Sequence, residues 1–404
     1  MSKTKIHPDM KVADIIRQWP EAREVFQANG LGALVSKDGL RALAPFLSLG
    51  TALRSRFMNP EAFTGLLGSA MEQKPVQESP GLESMAGQRD LTLLGLMPCG
   101  LKMPFSRAFA DFMARVELDG PIQFAVEGNL NQELSYYSYV HTIEDPDELP
   151  DIIVSSDFNI FYGHRFNRQF VAPGHFTGYG CFQPGTRFVE AGIPDPKGEY
   201  SILCVNPLVM VVNLDQLGDR PLPRTWADCL DPIWKNSLTI RGGDQFFCHA
   251  VLLPIFQQFG PEGLRALAAN LARGLHPSQM VARMDKNSDG AVYVMPEFFA
   301  QRVRHQERIQ IIWPEDGALA SPVTLQVKPD RIPDLKPVLD YLTGPGLAAT
   351  LAHARFPVPH AGIQADVQTR PLRWLGWDYL RKNDLVELNQ EIDEIFMPLA
   401  PVQG

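Results

Sequence analysis

The chain has 404 residues, of which 45% are hydrophobic and 21% are charged, as expected for a globular protein of two or three domains. Its formal net charge is −9 and its pI is about 5.5. This balance argues against a general nucleic-acid binder, which needs a cationic surface for phosphates. No apolar run is long enough to cross a bilayer, so we expect no transmembrane segment.

The first ten residues are polar and lack the apolar core and small residues of a secretory signal. We therefore expect a cytoplasmic protein, or a periplasmic one if a leader has been removed. The five cysteines are scattered and include no C-x-x-C pair, which is typical of reduced thiols rather than of a disulfide framework. They are Cys99, Cys181, Cys204, Cys229 and Cys248.

Residues 1–72 are predicted to form a small all-α domain. Apolar residues recur at helical spacing from Val12 to Trp19, and Pro20 suits the first turn of a second helix. Residues 73–90 are rich in Gln, Glu, Ser, Pro and Gly. That composition cannot bury enough apolar surface to become ordered, so it predicts a linker.

From residue 91 the pattern changes to a short apolar strand, a polar turn and a helix, repeated several times. The predicted strands of this first part are residues 91–98, 121–126 and 150–154. Such a repeat predicts an α/β fold, with a parallel sheet and helices on both faces. In these folds ligands bind beyond the carboxyl ends of the strands, where the polar turns lie.

The apolar stretch Ser201–Asn213 is long enough to be a strand that crosses between two lobes. We predict a two-lobed domain over residues 91–362, with lobe 1 at about 91–205 plus a C-terminal return and lobe 2 at about 206–325. Residues 363–404 are predicted as a C-terminal helical extension that packs on a lobe or on a second subunit. Its apolar stripe consists of Leu385, Leu388, Ile392 and Ile395.

Ten side chains near the predicted strand ends are candidates for ligand binding. They are Cys99, Lys102, Asn129, Ser156, Asp157, Arg241, Asp244, Gln245, His249 and Glu297. Arg241 can form a bidentate pair with a carboxylate or phosphate, or it is an ordinary solvated turn residue. Turns that precede helices also attract anions through their backbone N–H groups. Ser156 binds the ligand or caps the following helix, and His249 lines the cleft or is a hydrogen-bonded core histidine.

No catalytic motif is present in the chain: there is no nucleophile elbow, no Walker motif and no G-x-G-x-x-G. We therefore expect a binding protein rather than an enzyme, and the sequence identifies no cofactor and no metal. Cys99, Cys248 and His249 together would suit a soft metal ion, but their spacing gives this interpretation no support.

Residues 6–34 resemble a small helical domain of unknown function found at the start of various bacterial redox proteins. The resemblance rests on Asp9-Met10-Lys11-Val12-Ala13-Asp14-Ile15-Ile16, on Trp19-Pro20-Glu21-Ala22, on Val25-Phe26 and on Gly30-Leu31. Many members have cysteines just after this glycine, whereas here Leu31-Gly32-Ala33-Leu34 follows. We therefore prefer a docking or dimerisation role, in which this domain recruits a protein partner.

Residues 91–362 resemble the extracytoplasmic solute-binding proteins of bacterial ABC importers, in the group that binds ferric iron, thiamine, polyamines and small anions. The motifs are Pro150-Asp151-Ile152-Ile153-Val154-Ser155-Ser156, Pro223-Arg224-Thr225-Trp226-Ala227-Asp228-Cys229-Leu230-Asp231-Pro232-Ile233-Trp234-Lys235 and Trp313-Pro314-Glu315-Asp316-Gly317-Ala318. The resemblance implies a two-lobed clamp of the type 2 periplasmic-binding-protein fold, which closes on a small solute.

The chain differs from the ferric-binding members of this group at two adjacent positions. Those members have two adjacent tyrosines whose phenolates bind iron, and the corresponding residues here are Phe298 and Phe299. A phenyl ring offers a metal no oxygen. Three hypotheses follow: a module that binds a small anion or metal-containing ligand, a protein that handles a metallocofactor for a redox enzyme or is itself an enzyme on this fold, and an interaction protein with a decayed cleft.

Overall fold

The structure is a computed structural model of the whole chain. The predicted linker, residues 73–90, lies outside the residues that it describes, as do several short internal segments. The described residues are 6–20, 22–28, 31–55, 60, 63–64, 67, 92–118, 122–128, 140–180, 183–243, 246–286, 290–363 and 370–401.

The N-terminal region is helical and packs on the α/β domain. Its described helices are α1 Val12–Gln18, α2 Ala22–Ala28, α3 Gly32–Val35, α4 Lys37–Ala42 and α5 Leu49–Arg54. Serines begin two of them, since the Ser36 and Ser48 hydroxyls accept hydrogen bonds from backbone N–H groups of α4 and α5. Thr51 donates a hydrogen bond of 2.6 Å to the Glu148 carboxylate, which joins α5 to the α/β domain.

Among the described residues, ten strands form one mixed sheet, and β6 and β7 form a separate hairpin. The sheet order is β2-β1-β3-β11-β4-β9-β5-β8, with β10 also paired to β4 and β12 to β11. The strands are β1 Leu93–Met97, β2 Phe124–Gly128, β3 Ile152–Ser156, β4 Ser201–Asn213, β5 Leu238–Ile240, β6 Gly242–Gly243, β7 Phe246–Phe247, β8 Leu271–Gly274, β9 Val292–Pro296, β10 Ile309–Ile312, β11 Ala318–Val327 and β12 Leu372–Arg373.

Each half of the sheet has the same arrangement, and this defines two lobes. In lobe 1, β1 lies parallel to β2 and β3, and β11 lies antiparallel beside β3. In lobe 2, β5 lies parallel to β8 and β9, and β4 lies antiparallel beside β9. The long strands β4 and β11 pair with each other and connect both halves. The predicted α/β fold with two lobes is confirmed.

The two connecting strands each contain a proline at the junction of the lobes. Asn206 of β4 pairs with Ser321 of β11, and Pro207 and Pro322 flank this pair. Because proline has no N–H group, it cannot donate to the ladder and weakens the pairing there. We therefore place the hinge of the two lobes at this point.

Helices cover both faces of the sheet, and none of the described helices is long and apolar enough to cross a membrane. The long helix α10 breaks at Gly260, whose φ of 62° is left-handed. The remaining described helices are α6 Cys99–Met113, α7 His164–Phe166, α8 Thr186–Glu190, α9 Leu214–Leu217, α10 His249–Asn270, α11 Pro277–Asp285, α12 Glu297–Ala300, α13 Ile332–Leu342, α14 Pro345–His353, α15 Trp377–Lys382 and α16 Leu385–Phe396.

The C-terminal extension contains the helices α15 and α16, and its predicted apolar stripe lies within α16. The chain becomes extended at Asn383, and the Asp384 carboxylate then accepts a hydrogen bond from the Val386 N–H group to begin α16. The helix α16 packs on α10, and the Phe396 ring meets the Phe247 ring edge-on at 5.1 Å between centroids. The helix α16 therefore covers an outer face of lobe 2, whereas α15 contacts lobe 1, where Trp377 Nε1–H donates to the Ile193 carbonyl and Arg381 donates to the Asp195 carboxylate.

Candidate functional site

A small cavity lies where the two lobes meet, with a volume of about 30 Å³. Its walls come from the turns after β1 and β3 in lobe 1, and from the turns after β5, β8 and β9 in lobe 2. These are the carboxyl ends of parallel strands, where ligands are expected in such folds. The lining residues are Pro98, Gly100, Asp157, Asn206, Leu208, Arg241, Cys248, Ala250, Val251, His276, Pro277, Val294, Pro296, Phe298, Phe299 and Phe356.

Two opposite charges from opposite lobes face each other in this cavity. Asp157 follows β3 in lobe 1 and Arg241 follows β5 in lobe 2, and Asp157 Oδ2 lies 3.9 Å from Arg241 Nη1. The Ser321 hydroxyl of β11 donates to Asp157 Oδ1, so a residue of the hinge orients the carboxylate. Asp157 has a left-handed φ of 66°, a conformation that aspartate tolerates better than most residues.

The aromatic ring of Phe298 is the main apolar contact between the lobes. It lies against Gly100 at the start of α6, so close that a Cβ atom at Gly100 would be 2.4 Å from Phe298 Cδ1. The Phe356 ring of lobe 1 is 6.0 Å away between centroids. Phe298 and Phe299 thus place phenyl rings, without oxygen donors, where the resemblance implies iron-binding tyrosines.

A buried carboxylate lies next to the cavity. Glu297 is 1% exposed, and its Oε2 atom has no hydrogen-bond partner among the described residues. Burial raises the pKa of Glu297, and the positive charges of Arg355, Arg370 and Arg187 oppose that shift. Burial also lowers the pKa of Arg187 to about 10, an effect that the charge of Glu297 opposes. The Glu297 charge is therefore stabilised mainly by arginines.

These arginines come from segments that are far apart in the chain. The guanidinium groups of Arg187 and Arg370 lie 5.3 Å and 5.4 Å from the centroid of the Trp313 ring, which follows β10. Arg187, Arg355 and Arg370 act on Glu297, and Arg241 faces Asp157, so four arginines lie at or beside the cavity. We call these four side chains the cleft arginines: Arg187, Arg241, Arg355 and Arg370.

Four of the predicted site residues are at or beside the cavity, and one of them, Cys99, lies in the chain between the lining residues Pro98 and Gly100. Asp157 and Arg241 line the cavity, and Glu297 lies between the lining residues Pro296 and Phe298. Ser156 is buried at the end of β3, directly before Asp157. None of these placements tests ligand contact, which stays a prediction.

Other predicted site residues lie elsewhere. Lys102 is half-buried on α6 and is not part of the lining. His249 also does not line the cavity, because its Nε2 atom lies 2.9 Å from Asp393 Oδ1 of α16. The remaining predicted residues fall outside the described part of the chain, and they are Asn129, Asp244 and Gln245.

Two details of the predicted turns are corrected by the structure. Arg241 does not lie at a helix N-terminus, because the hairpin of β6 and β7 intervenes before α10 begins after Cys248. Ser156 and Asp157 cap no helix, since Asn159 caps the 3-10 turn Ile160–Tyr162 that follows. A catalytic or soft-metal role for Cys248 gains no support, because burial raises the pKa of its thiol.

Sequence reasoning missed three of the cleft arginines, and it used Trp313 only within a family motif, without assigning it to the site. The segments of these arginines share no motif, and no fixed spacing links them to the strand ends. The only local signal is that Arg355 directly precedes Phe356, which lines the cavity. Among the described residues, no group of three or more His, Cys, Asp or Glu side chains is placed to hold a metal ion.

A two-lobed α/β clamp with charged groups from both lobes in its cleft is the architecture of a solute-binding protein of ABC-importer type. Residues 147–383, more than half of the chain, match the family described as Bacterial extracellular solute-binding protein, and the chain belongs to that family. Residues 6–64 match a domain of unknown function, DUF1858. No curated protein matches the chain.

Solved structures of similar fold include the apo ferric ion-binding protein A of Pasteurella haemolytica, with 15% identity, a TM-score of 0.53, and coverage of 78% of this chain and 99% of that one. A ferric binding protein from Campylobacter jejuni has 11% identity, a TM-score of 0.54 and coverage of 77% and 99%. A Trichodesmium protein in complex with iron and citrate has 12% identity, a TM-score of 0.52 and coverage of 76% and 98%. At these identities the likeness concerns the fold.

Proposed function

We propose that this protein captures a small anionic solute between its two lobes and does not transform it. The observation that supports this proposal is the cluster of cleft arginines, which act electrostatically on Glu297 or face Asp157. Guanidinium groups bind carboxylates and phosphates through paired, charge-assisted hydrogen bonds. An anion that enters this cleft would therefore meet several groups that can bind it.

Capture requires the lobes to move. A cavity of about 30 Å³ has room for about two waters, so a solute enters only when the lobes part. Rotation about the hinge at Asn206 and Ser321 would open the cleft, and the solute would then be enclosed from both sides. The solute stabilises the closed state because it contacts both lobes only in that state.

A metal-containing anion is a second candidate for the solute. The Trichodesmium relative is described in complex with iron and citrate, so an organic acid accompanies the metal in that protein. A chelate of this kind would meet the cleft arginines with its anionic groups and would need no phenolate from Phe298 or Phe299. Delivery of such a ligand to a redox enzyme, with the N-terminal helical region recruiting the partner, is the extended form of this candidate.

The test compares ligand classes on the intact protein. Thermal-shift measurements with inorganic phosphate, citrate, ferric citrate, ferric ion and spermidine would be followed by calorimetric titration of any binder. We expect anions to stabilise the protein, and the Arg241→Gln variant to bind them at least about tenfold more weakly. The control is Arg265→Gln, which removes an exposed arginine that pairs with Glu262 on α10.

Two outcomes would refute the proposal. One is stabilisation by spermidine or by ferric ion alone, with no effect of any anion. The other is anion binding that is equally strong in the wild type and in the Arg241→Gln variant. A stronger response to ferric citrate than to citrate would favour the metal-containing anion over a simple organic acid.

A further inference from the structure

The cavity lining contains two opposite charges. Asp157 and Arg241 lie only 3.9 Å apart across the lobe boundary. We propose that the solute is zwitterionic: its acid group binds Arg241 and its ammonium group binds Asp157. This inference rests on the proposed function, because it specifies which anions the cleft accepts.

The Asp157 carboxylate is held in place by the hinge. The Ser321 hydroxyl donates to its Oδ1 atom, and the Asp157 N–H group donates to the Pro322 carbonyl at 3.0 Å. The residue is 8% exposed, and its left-handed backbone conformation turns the chain away from the direction of β3. A carboxylate that is fixed in this way keeps its position when the lobes part and presents a preorganised acceptor to a ligand.

The charges of the cavity select against simple ions. A purely anionic solute that pairs with Arg241 comes close to Asp157 and is repelled by it. A purely cationic solute that pairs with Asp157 is repelled in the same way by Arg241. A zwitterionic solute is attracted by both side chains. These two attractions replace the attraction between Asp157 and Arg241 in the closed cavity.

The rest of the lining suits the chain that connects the two groups. Phe298, Phe356, Val251 and Leu208 are apolar and come from both lobes. They would contact the short carbon chain of an amino acid or of an aminoalkyl phosphate once the lobes close on it. The remaining cleft arginines lie beside the cavity, where they attract the acid group of an arriving solute.

The test uses matched sets of ligands on the full-length protein. One set is γ-aminobutyrate, butyrate and butylamine, and the other is phosphoethanolamine, ethyl phosphate and ethylamine. Calorimetric titration should show that the zwitterion binds at least about tenfold more tightly than the matched anion, because a buried charged hydrogen bond is gained. The amines should bind more weakly than either.

Two variants locate the selectivity at Asp157. The isosteric Asp157→Asn change should reduce the preference for zwitterion over anion by about tenfold, because it removes the acceptor charge. Ser321→Ala, which keeps the charge and removes its hydrogen-bond donor, should reduce the preference by less. The control is Asp151→Asn, the same substitution at a carboxylate that pairs with Lys328 and Arg331 outside the cavity.

The outcomes separate this inference from the proposed function. If the matched anions bind as tightly as the zwitterions, or if Asp157→Asn weakens both equally, Asp157 only links the two lobes and the inference is overturned. The proposed anion binding would then stand. If neither anions nor zwitterions bind in either set, both the inference and the proposed function are overturned.

Discussion

Replacing Gly100 by alanine is expected to prevent the two lobes from closing fully. The added Cβ atom would lie 2.4 Å from Phe298 Cδ1 and 2.7 Å from both Cε1 and Cγ of the same ring, whereas ordinary contacts begin at 3.4 Å. The ring must therefore retreat by about 1 Å. It cannot do so freely, because Phe356 lies 6.0 Å away and the Arg302 guanidinium lies 3.4 Å from its centroid.

The clash affects only the closed state, because Gly100 belongs to lobe 1 and Phe298 to lobe 2. Overpacking of this kind costs about 1–3 kcal/mol. The ratio of closed to open molecules should therefore fall by about 5- to 150-fold. Because the closed state is the one that encloses a solute, the apparent affinity for any cleft ligand should weaken by a similar factor.

Two measurements follow closure and binding separately. Distances between spin labels on the two lobes report the closed fraction, and calorimetric titration reports the affinity. Gly346→Ala in α14 is the matched control, because nothing lies within 4 Å of its added Cβ atom and the gain in helix propensity is the same. A second change, Phe298→Leu, should restore closure in the Gly100→Ala background. Normal closure and binding in Gly100→Ala alone would refute the reasoning.

Two further predictions concern stability. Burial raises the pKa of Glu297 in the folded protein above its value in the unfolded chain, which is about 4.3. The stability of the wild type should therefore fall as the pH rises from the unfolded-state pKa through the folded-state pKa. The unfolding free energy of Glu297→Gln, relative to that of the wild type, should therefore increase between about pH 4 and about pH 7. A difference that stays constant with pH would contradict burial as the cause of the raised pKa. Phe396→Ala should cost about 3–5 kcal/mol, because this fully buried ring of α16 packs on Phe247. Chemical denaturation measures that loss, and a value below about 1 kcal/mol would show that the C-terminal extension does not stabilise lobe 2.

Much of the architecture could be predicted because it depends on local pattern. The strand that connects the lobes, Ser201–Asn213, is recognisable as an unusually long apolar run, and the structure has the strand at these residues. The strand predicted at residues 150–154 is also present, as Ile152–Ser156. The apolar stripe from Leu385 to Ile395 also lies within one helix, Leu385–Phe396.

The position of His249 shows where such reasoning stops. It is the first residue of α10, so the sequence places it near the cleft with the other strand-end residues. The side chain instead lies 2.9 Å from Asp393, a residue 144 positions further along the chain. No local pattern could have predicted this contact, because it depends on where the C-terminal helix packs.

Periodicity and turn chemistry are local properties, and they determine the class of fold and the polar residues at the ends of parallel strands. The tertiary structure alone determines that Asp157 faces Arg241, that Phe298 rests on Gly100, and that the arginines gather around Glu297. The physical reason is the closure of two lobes about two strands. Closure brings together side chains from distant segments, and their contacts depend on the relative position of the lobes rather than on neighbouring residues in the chain.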